Sequence, residues 1–159
     1  PLFMDSIGTA VIAALFGPLS GVLTALLTHL GLEIWSGFSW LYAPWVLCSI
    51  STALLIGGAA RPGLFDTIPQ LVIVVLLVSL ANAFCGALLH TVLYDGIAEH
   101  STDMVVQGFQ LLTGKLFWAA FWARVPINVV DKGLAVILAY LAAKGFRTDR
   151  YASRMAPRD

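Results

Sequence analysis

An all-helical membrane bundle is the fold class this sequence predicts, from two observations. The first is composition: 59% of the 159 residues are hydrophobic and 11% are charged, against about 45–50% and 25% in soluble domains. The second is spacing. No charge falls between Asp5 and Glu33 or between Glu33 and Arg61, 27 residues each, nor in the 28 residues between Asp66 and Asp95. A hydrocarbon core needs about 20 apolar residues per helix. Each gap is long enough for a crossing, which predicts a multi-pass chain in the cell membrane. A soluble core helix would show a polar face at every turn.

The elements follow in order. Segment one, about 6–32, is interrupted by Gly17-Pro18. Proline removes a helical hydrogen bond and clashes with the turn before it, and glycine suits a helix end. Either one kinked crossing or two short helices, about 6–16 and 19–32, satisfies this. The stretch "EIWSGFSWLY" (33–42) carries Trp35, Trp40 and Tyr42, as an interfacial aromatic belt does. Segment two is expected over about 43–58. The Gly- and Pro-rich 57–69 stretch reads as a turn, and segment three follows over about 69–94. Region 104–123 is apolar but holds Gln107, Gln110, Thr113 and Lys115. It is expected as a short helix at the surface or dipping into the bundle. The last helix is expected over about 126–146, with Pro126 in its first turn. Residues 1–146 thus form one transmembrane domain and 147–159 a basic, fraying tail.

Lys144, Arg147, Arg150, Arg154 and Arg158 place the C-terminus in the cytoplasm by the positive-inside rule. If 104–123 does not cross, Arg61 is cytoplasmic too, and Glu33, Asp95, Glu99 and Asp103 lie outside with Lys115 and Arg124; if it crosses, Arg61 moves outside and the bias weakens. No basic stripe or aromatic RNA-binding pattern supports nucleic-acid binding. Cys48 and Cys85 sit in apolar segments and suit packing, and no Cys/His cluster suggests a metal or cofactor site. No hydrolase, zinc-protease or P-loop motif marks an enzyme.

Charged groups inside a bilayer cost about 2.5–3.5 kcal/mol each on insertion scales, so each needs a reason. Asn128, Asp131 and Lys132 share a helical face at i, i+3 and i+4. Asp131 and Lys132 either neutralise each other or line a polar cavity with Asn128. Arg124, one turn away, either guards such a cavity or meets lipid headgroups. Asp5 and Ser6 suit an N-cap. His29 pairs in spacing with Glu33, and His90 stands near Asp95 with Asn82 two turns below. Each histidine is either a bundle hydrogen-bonder or a pocket residue. Trp40, His90, Asn128 and Asp131, then Lys132, are the candidate substrate-binding residues, with 104–123 as part of a lid. Gly17/Gly21/Ala25 and Ala135/Ala139/Ala143 repeat every four residues. Such smooth faces pack within a chain or dock a partner helix.

The stretch "FMDSIGTAVIAALFGPLSGVLTALLTHL" (3–30) resembles the substrate-binding S components of energy-coupling factor (ECF) vitamin transporters. Asp5, Ile7, Gly8 and Thr9 stand in the family's starting motif, with Ser6 for its usual Thr. Gly17, Pro18 and Gly21 stand in its turn, and Thr28 near its end, with His29 where Asn is common. "PINVVDK" (126–132) is similar to the stretch opening the family's last helix. The resemblance implies a six-helix fold whose first helix is missing before Pro1. It implies capture of a vitamin-like small molecule from the outside. It further implies docking to a transmembrane coupling protein with two ATPase subunits. Riboflavin, thiamine and cobalamin all remain open as ligands. The competing expectation is the membrane-embedded input domain of a signalling protein.

Overall fold

The computed structural model describes residues 6–61, 65–93 and 103–155. Six α-helices and no strand occur among them. Helix α1 spans Ile7–Phe16 and α2 Pro18–Trp35. A 3-10 turn, Ala43–Trp45, leads into α3, Val46–Ala60. Then come α4 (Ile68–Val92), α5 (Asp103–Thr113) and α6 (Leu116–Met155). Three stretches are long and apolar enough to cross a membrane: Ala43–Ala60, Ile68–Val92 and Leu116–Phe146.

The packing is that of a membrane protein. Alanines fill the interior, among them Ala10, Ala13, Ala25, Ala53, Ala83, Ala135 and Ala139. Leucines cover the outside, among them Leu23, Leu27, Leu76, Leu77 and Leu141. Water would drive those leucines inward. Lipid supplies no such drive, so close backbone approach decides the interior.

Segment one is two helices. Gly17 sits at φ +99°, outside the helical region, and its N–H donates to the Ala13 carbonyl to end α1. Pro18 then opens α2 at a position where its missing N–H is harmless. The two helices pack tightly against each other and against α3. A Cβ on Gly21 would stand 2.5 Å from the Ala13 Cβ, and one on Gly57 2.6 Å from the Pro18 nitrogen. Both small-residue stripes are thus spent inside the chain: Gly21, Ala25, Ala135, Ala139 and Ala143 are all buried.

This closeness sets a test. Gly57→Ala must displace backbone at Pro18, an overpacking expected to cost about 1–3 kcal/mol. At its neighbour Gly58 an added Cβ would meet nothing within 4 Å. Gly58→Ala is expected to be neutral or to stabilise by up to about 1 kcal/mol. Thermal unfolding of both variants in detergent checks the pair; equal melting temperatures would refute a tight α2–α3 contact at this point.

The last third of the chain departs from the sequence expectation. Region 104–123 is not one element: α5 ends at Thr113, Gly114 turns at φ +65°, and α6 begins at Leu116. The expected helix 126–146 therefore starts ten residues early, and Pro126 lies inside it. Side chains strengthen the helix around the proline. Arg124 Nη1 donates to the Ala120 carbonyl (3.3 Å) and Asn128 Nδ2 to the Arg124 carbonyl (3.0 Å). The carbonyl that Pro126 leaves without its helical donor is that of Trp122, and neither of these two bonds reaches it. The helix also runs on through residue 147 to Met155, where fraying was expected.

Helix directions place two sets of ends apart. The end of α2, the starts of α3 and α6 and the end of α4 meet beneath residues 36–42, here termed the loop end. Phe16, Gly17, Arg61 and Phe146 meet at the other, with the Phe16 and Phe146 rings 6.3 Å apart. Lys144, within a turn of Phe146 on α6, belongs to this second end.

Candidate functional site

At the loop end, α2, α3, α4 and α6 enclose a cavity of about 250 Å³. The wall from α2 and the start of α3 is largely apolar and aromatic: Leu32, Tyr42, Trp45 and Cys48, with His29 and Ser49. The α4 wall gives Asn82 and Gly86, and the α6 wall Arg124, Asn128 and Lys132. A few polar groups among aromatics is the usual make-up of a small-molecule site.

The α6 residues recur every fourth position, so they form one stripe about 12 Å long. All three are buried. Arg124 Nη2 lies 3.0 Å from His90 Nδ1. A guanidinium only donates, so this ring nitrogen accepts and the His90 proton sits on Nε2. The Arg124 guanidinium carbon also stands 5.7 Å from the Trp45 ring centre, a cation–π arrangement. Gly86 makes this possible, since a Cβ there would meet Arg124 Cδ at 3.0 Å. Lys132 Nζ lies 2.7 Å from Asp131 Oδ2 and donates to Ser6 Oγ at 2.7 Å.

The opposite wall is fixed by two clamps. His29 Nδ1 lies 3.0 Å from the Tyr42 carbonyl and its Nε2 2.9 Å from Ser49 Oγ. A carbonyl only accepts, so Nδ1 carries a proton, and Nε2 shares a second hydrogen bond with the serine hydroxyl. Glu33, also buried, takes three backbone N–H groups: Tyr42 and Ala43 on Oε1 (2.6 Å each) and Trp40 on Oε2 (2.9 Å). Asn82 donates to Thr52 Oγ1 (2.9 Å) and the Val78 carbonyl (3.0 Å), which ties α4 to α3.

The sequence-derived candidates are placed unequally. Asn128 and Lys132 line the cavity. Asp131 does not; it stands beside Lys132, because neighbouring helical residues point in different directions. His90 lies behind the wall and holds Arg124. Trp40 is 74% exposed and borders a separate shallow depression with Leu26, Leu30 and Phe38. No described α5 residue lines the cavity; Val106 of α5 packs on Ala87, Ala119, Ala120 and Ala123 instead. Asp5, Asp95 and Glu99 fall outside the described residues. Both His29 and Asn82 serve as bundle hydrogen-bonders and also face the cavity.

Sequence reasoning missed Trp45 and Tyr42 and left Arg124 at an entrance or among headgroups. One signal was present: Arg124, Asn128 and Lys132 are spaced by four. Nothing in the sequence brings Trp45 to them, since that contact depends on how α3 is rotated. Among the described residues, no three His, Cys, Asp or Glu side chains gather to hold a metal ion. Comparison of the chain with protein-family models, with curated proteins and with solved structures finds no match.

Proposed function

We propose that this chain is a membrane-embedded capture subunit that binds a small molecule in the loop-end cavity. The observation that carries the proposal is the cavity itself. It is a partly open space of about 250 Å³ with an aromatic wall facing a charged stripe. Buried charge in a membrane bundle marks a functional site by default. The volume lies just below the roughly 300–1,000 Å³ of drug-sized sites, so the smaller vitamin-like molecules fit better than cobalamin.

The finer proposal is an ECF-type S component, acting with a transmembrane coupling protein and two ATPases. It rests on the "FMDSIGTA", "GPLSG" and "PINVVDK" stretches. Helix α1 with its Gly17 turn and the Asn128–Lys132 segment are the parts of the fold those stretches build. The cavity lies opposite the end that holds Arg61 and Lys144, so the positive-inside rule turns it outward. Docking would use surfaces other than the two small-residue stripes, which are buried within the chain.

The test is purification in mild detergent with mass spectrometry of co-purifying small molecules. One compound at stoichiometric amount is the expected result. An empty protein that shows no thermal shift with a vitamin panel would overturn capture. Asn128→Ala is expected to weaken retention of that compound about fivefold, the worth of one hydrogen bond, with insertion intact. Unchanged retention would remove Asn128 from the site.

One observation favours the signalling alternative. Helix α6 runs unbroken for 40 residues, from the cavity wall to Met155. A stiff helix of this kind could pass a binding event to an output domain. Sequencing the gene beyond codon 159 decides: a kinase or cyclase domain there would favour the sensor, and adjacent ATPase genes the transporter.

A further inference from the structure

We infer that the end of the bundle opposite the loop end carries a binding site for an anionic phospholipid. The lipid phosphate would face Arg61, and an acyl chain would lie against Phe16 and Phe146. The site is separate from the loop-end cavity and from any ligand held there.

Position is the first argument. The stretch Ala43–Ala60 is 18 residues long, about 27 Å of helix, so it nearly fills a hydrocarbon core of about 30 Å. Arg61 is the next residue. The stretch Leu116–Phe146 ends at the same level, because Arg61 and Phe146 line one cavity. That cavity therefore sits where acyl chains meet headgroups. Phospholipid is the molecule present there, whichever way the chain is oriented.

Chemistry is the second. The cavity is partly open, with a volume of about 330 Å³, and lies between α1, α3 and α6 beside the Gly17 turn. A Cβ on Gly17 would stand 2.8 Å from Arg61 Nη2, so the glycine leaves the guanidinium room over the turn. Arg61 is the one charged side chain among the described lining residues, and it is exposed. Its planar donor fork fits two phosphate oxygens. Pro62, Gly63 and Leu64, next in the chain, carry no charge, and Arg147, Asp149 and Arg150, past Phe146, sum to one positive charge. The Phe16 and Phe146 rings are exposed and meet edge to face, with centres 6.3 Å apart. A cation beside an apolar wall matches the junction between a headgroup and its acyl chains.

Native mass spectrometry of the detergent-purified full chain tests this, with equal amounts of phosphatidylglycerol and phosphatidylcholine bearing the same acyl chains. Phosphatidylglycerol is expected to be retained about fivefold over phosphatidylcholine, the worth of one basic residue near an anionic surface. Arg61→Gln is expected to bring that ratio to about one. Lys144→Gln is the control for the general charge of this end. Lys144 Nζ stands 5.7 Å from the centre of the Tyr140 ring and does not line the cavity, so this variant should keep the preference. Equal retention of the two lipids by the wild type would overturn the site, as would an unchanged ratio in Arg61→Gln. An equal fall in Arg61→Gln and Lys144→Gln would also overturn it, since the preference would then belong to the charge of the whole end. Each of these results leaves small-molecule capture in the loop-end cavity standing.

Discussion

Asp131→Ala is expected to destabilise the protein by about 3–5 kcal/mol, the usual effect of removing one partner from a buried ion pair. Lys132 Nζ sits 2.7 Å from Asp131 Oδ2, and both side chains are almost fully buried. Without the carboxylate, the ammonium keeps the Ser6 hydroxyl but loses a countercharge. Ala135 and Val136, about one turn further along α6, are buried in the hydrophobic core. The double variant Asp131→Ala/Lys132→Met removes both charges and is expected to recover at least half of the loss. Melting temperatures of the single and double variants in detergent measure the coupling. If Asp131→Ala melts like the wild type, the pair is not a buried one.

Glu33→Ala is expected to lower stability by about 3 kcal/mol and to open the loop over the cavity. Its carboxylate holds three backbone N–H groups within residues 40–43. Hydrogen bonds to a charged group contribute about 1.5–3 kcal/mol each and are not additive. The loop needs that support, since Phe38 and Trp40 both sit at φ +60°. A left-handed non-glycine residue costs about 1–2 kcal/mol, so such a loop persists only where its surroundings fix it. Tyr42 lines the cavity, and its carbonyl is the partner of His29 Nδ1. Loss of the clamp is therefore expected to reach the binding wall. Limited proteolysis is the direct readout: cleavage within 36–42 should rise at least tenfold, and ligand retention should fall with it. Glu33→Gln should be intermediate, because its amide N–H₂ would face one of the backbone donors. Wild-type protease resistance in Glu33→Ala would show that the loop does not depend on this carboxylate.

Much of the bundle was legible because lipid imposes a one-dimensional rule. A crossing must be uncharged over its length, so the gaps after Asp5, Glu33 and Asp66 marked apolar helices directly. The break at Gly17-Pro18 was legible because both residues restrict the backbone locally. The α4 start was legible for the same reason. Thr67 and Gln70 close a capping box there, with Pro69 just inside the helix. Pro126 misled because a residue well suited to a helix's first turn does not by itself mark that turn, and α6 begins ten residues earlier. Arg124 and Asn128 side chains bond carbonyls around the proline, and α6 continues through it.

By itself the sequence determined a helical membrane protein, an interruption at Gly17-Pro18 that was either a kink or a break, and the four-residue spacing of Arg124, Asn128 and Lys132. The tertiary structure alone decided which of the polar residues share a space. These helices are apolar nearly all round, so periodicity does not reveal which face turns inward. Small residues set that rotation through contacts between segments far apart in the chain, such as Gly57 on Pro18 and Gly86 on Arg124. Those contacts bring Trp45 and Tyr42 opposite the α6 stripe, leave Trp40 outside, and turn Asp131 from a cavity residue into the partner of Lys132.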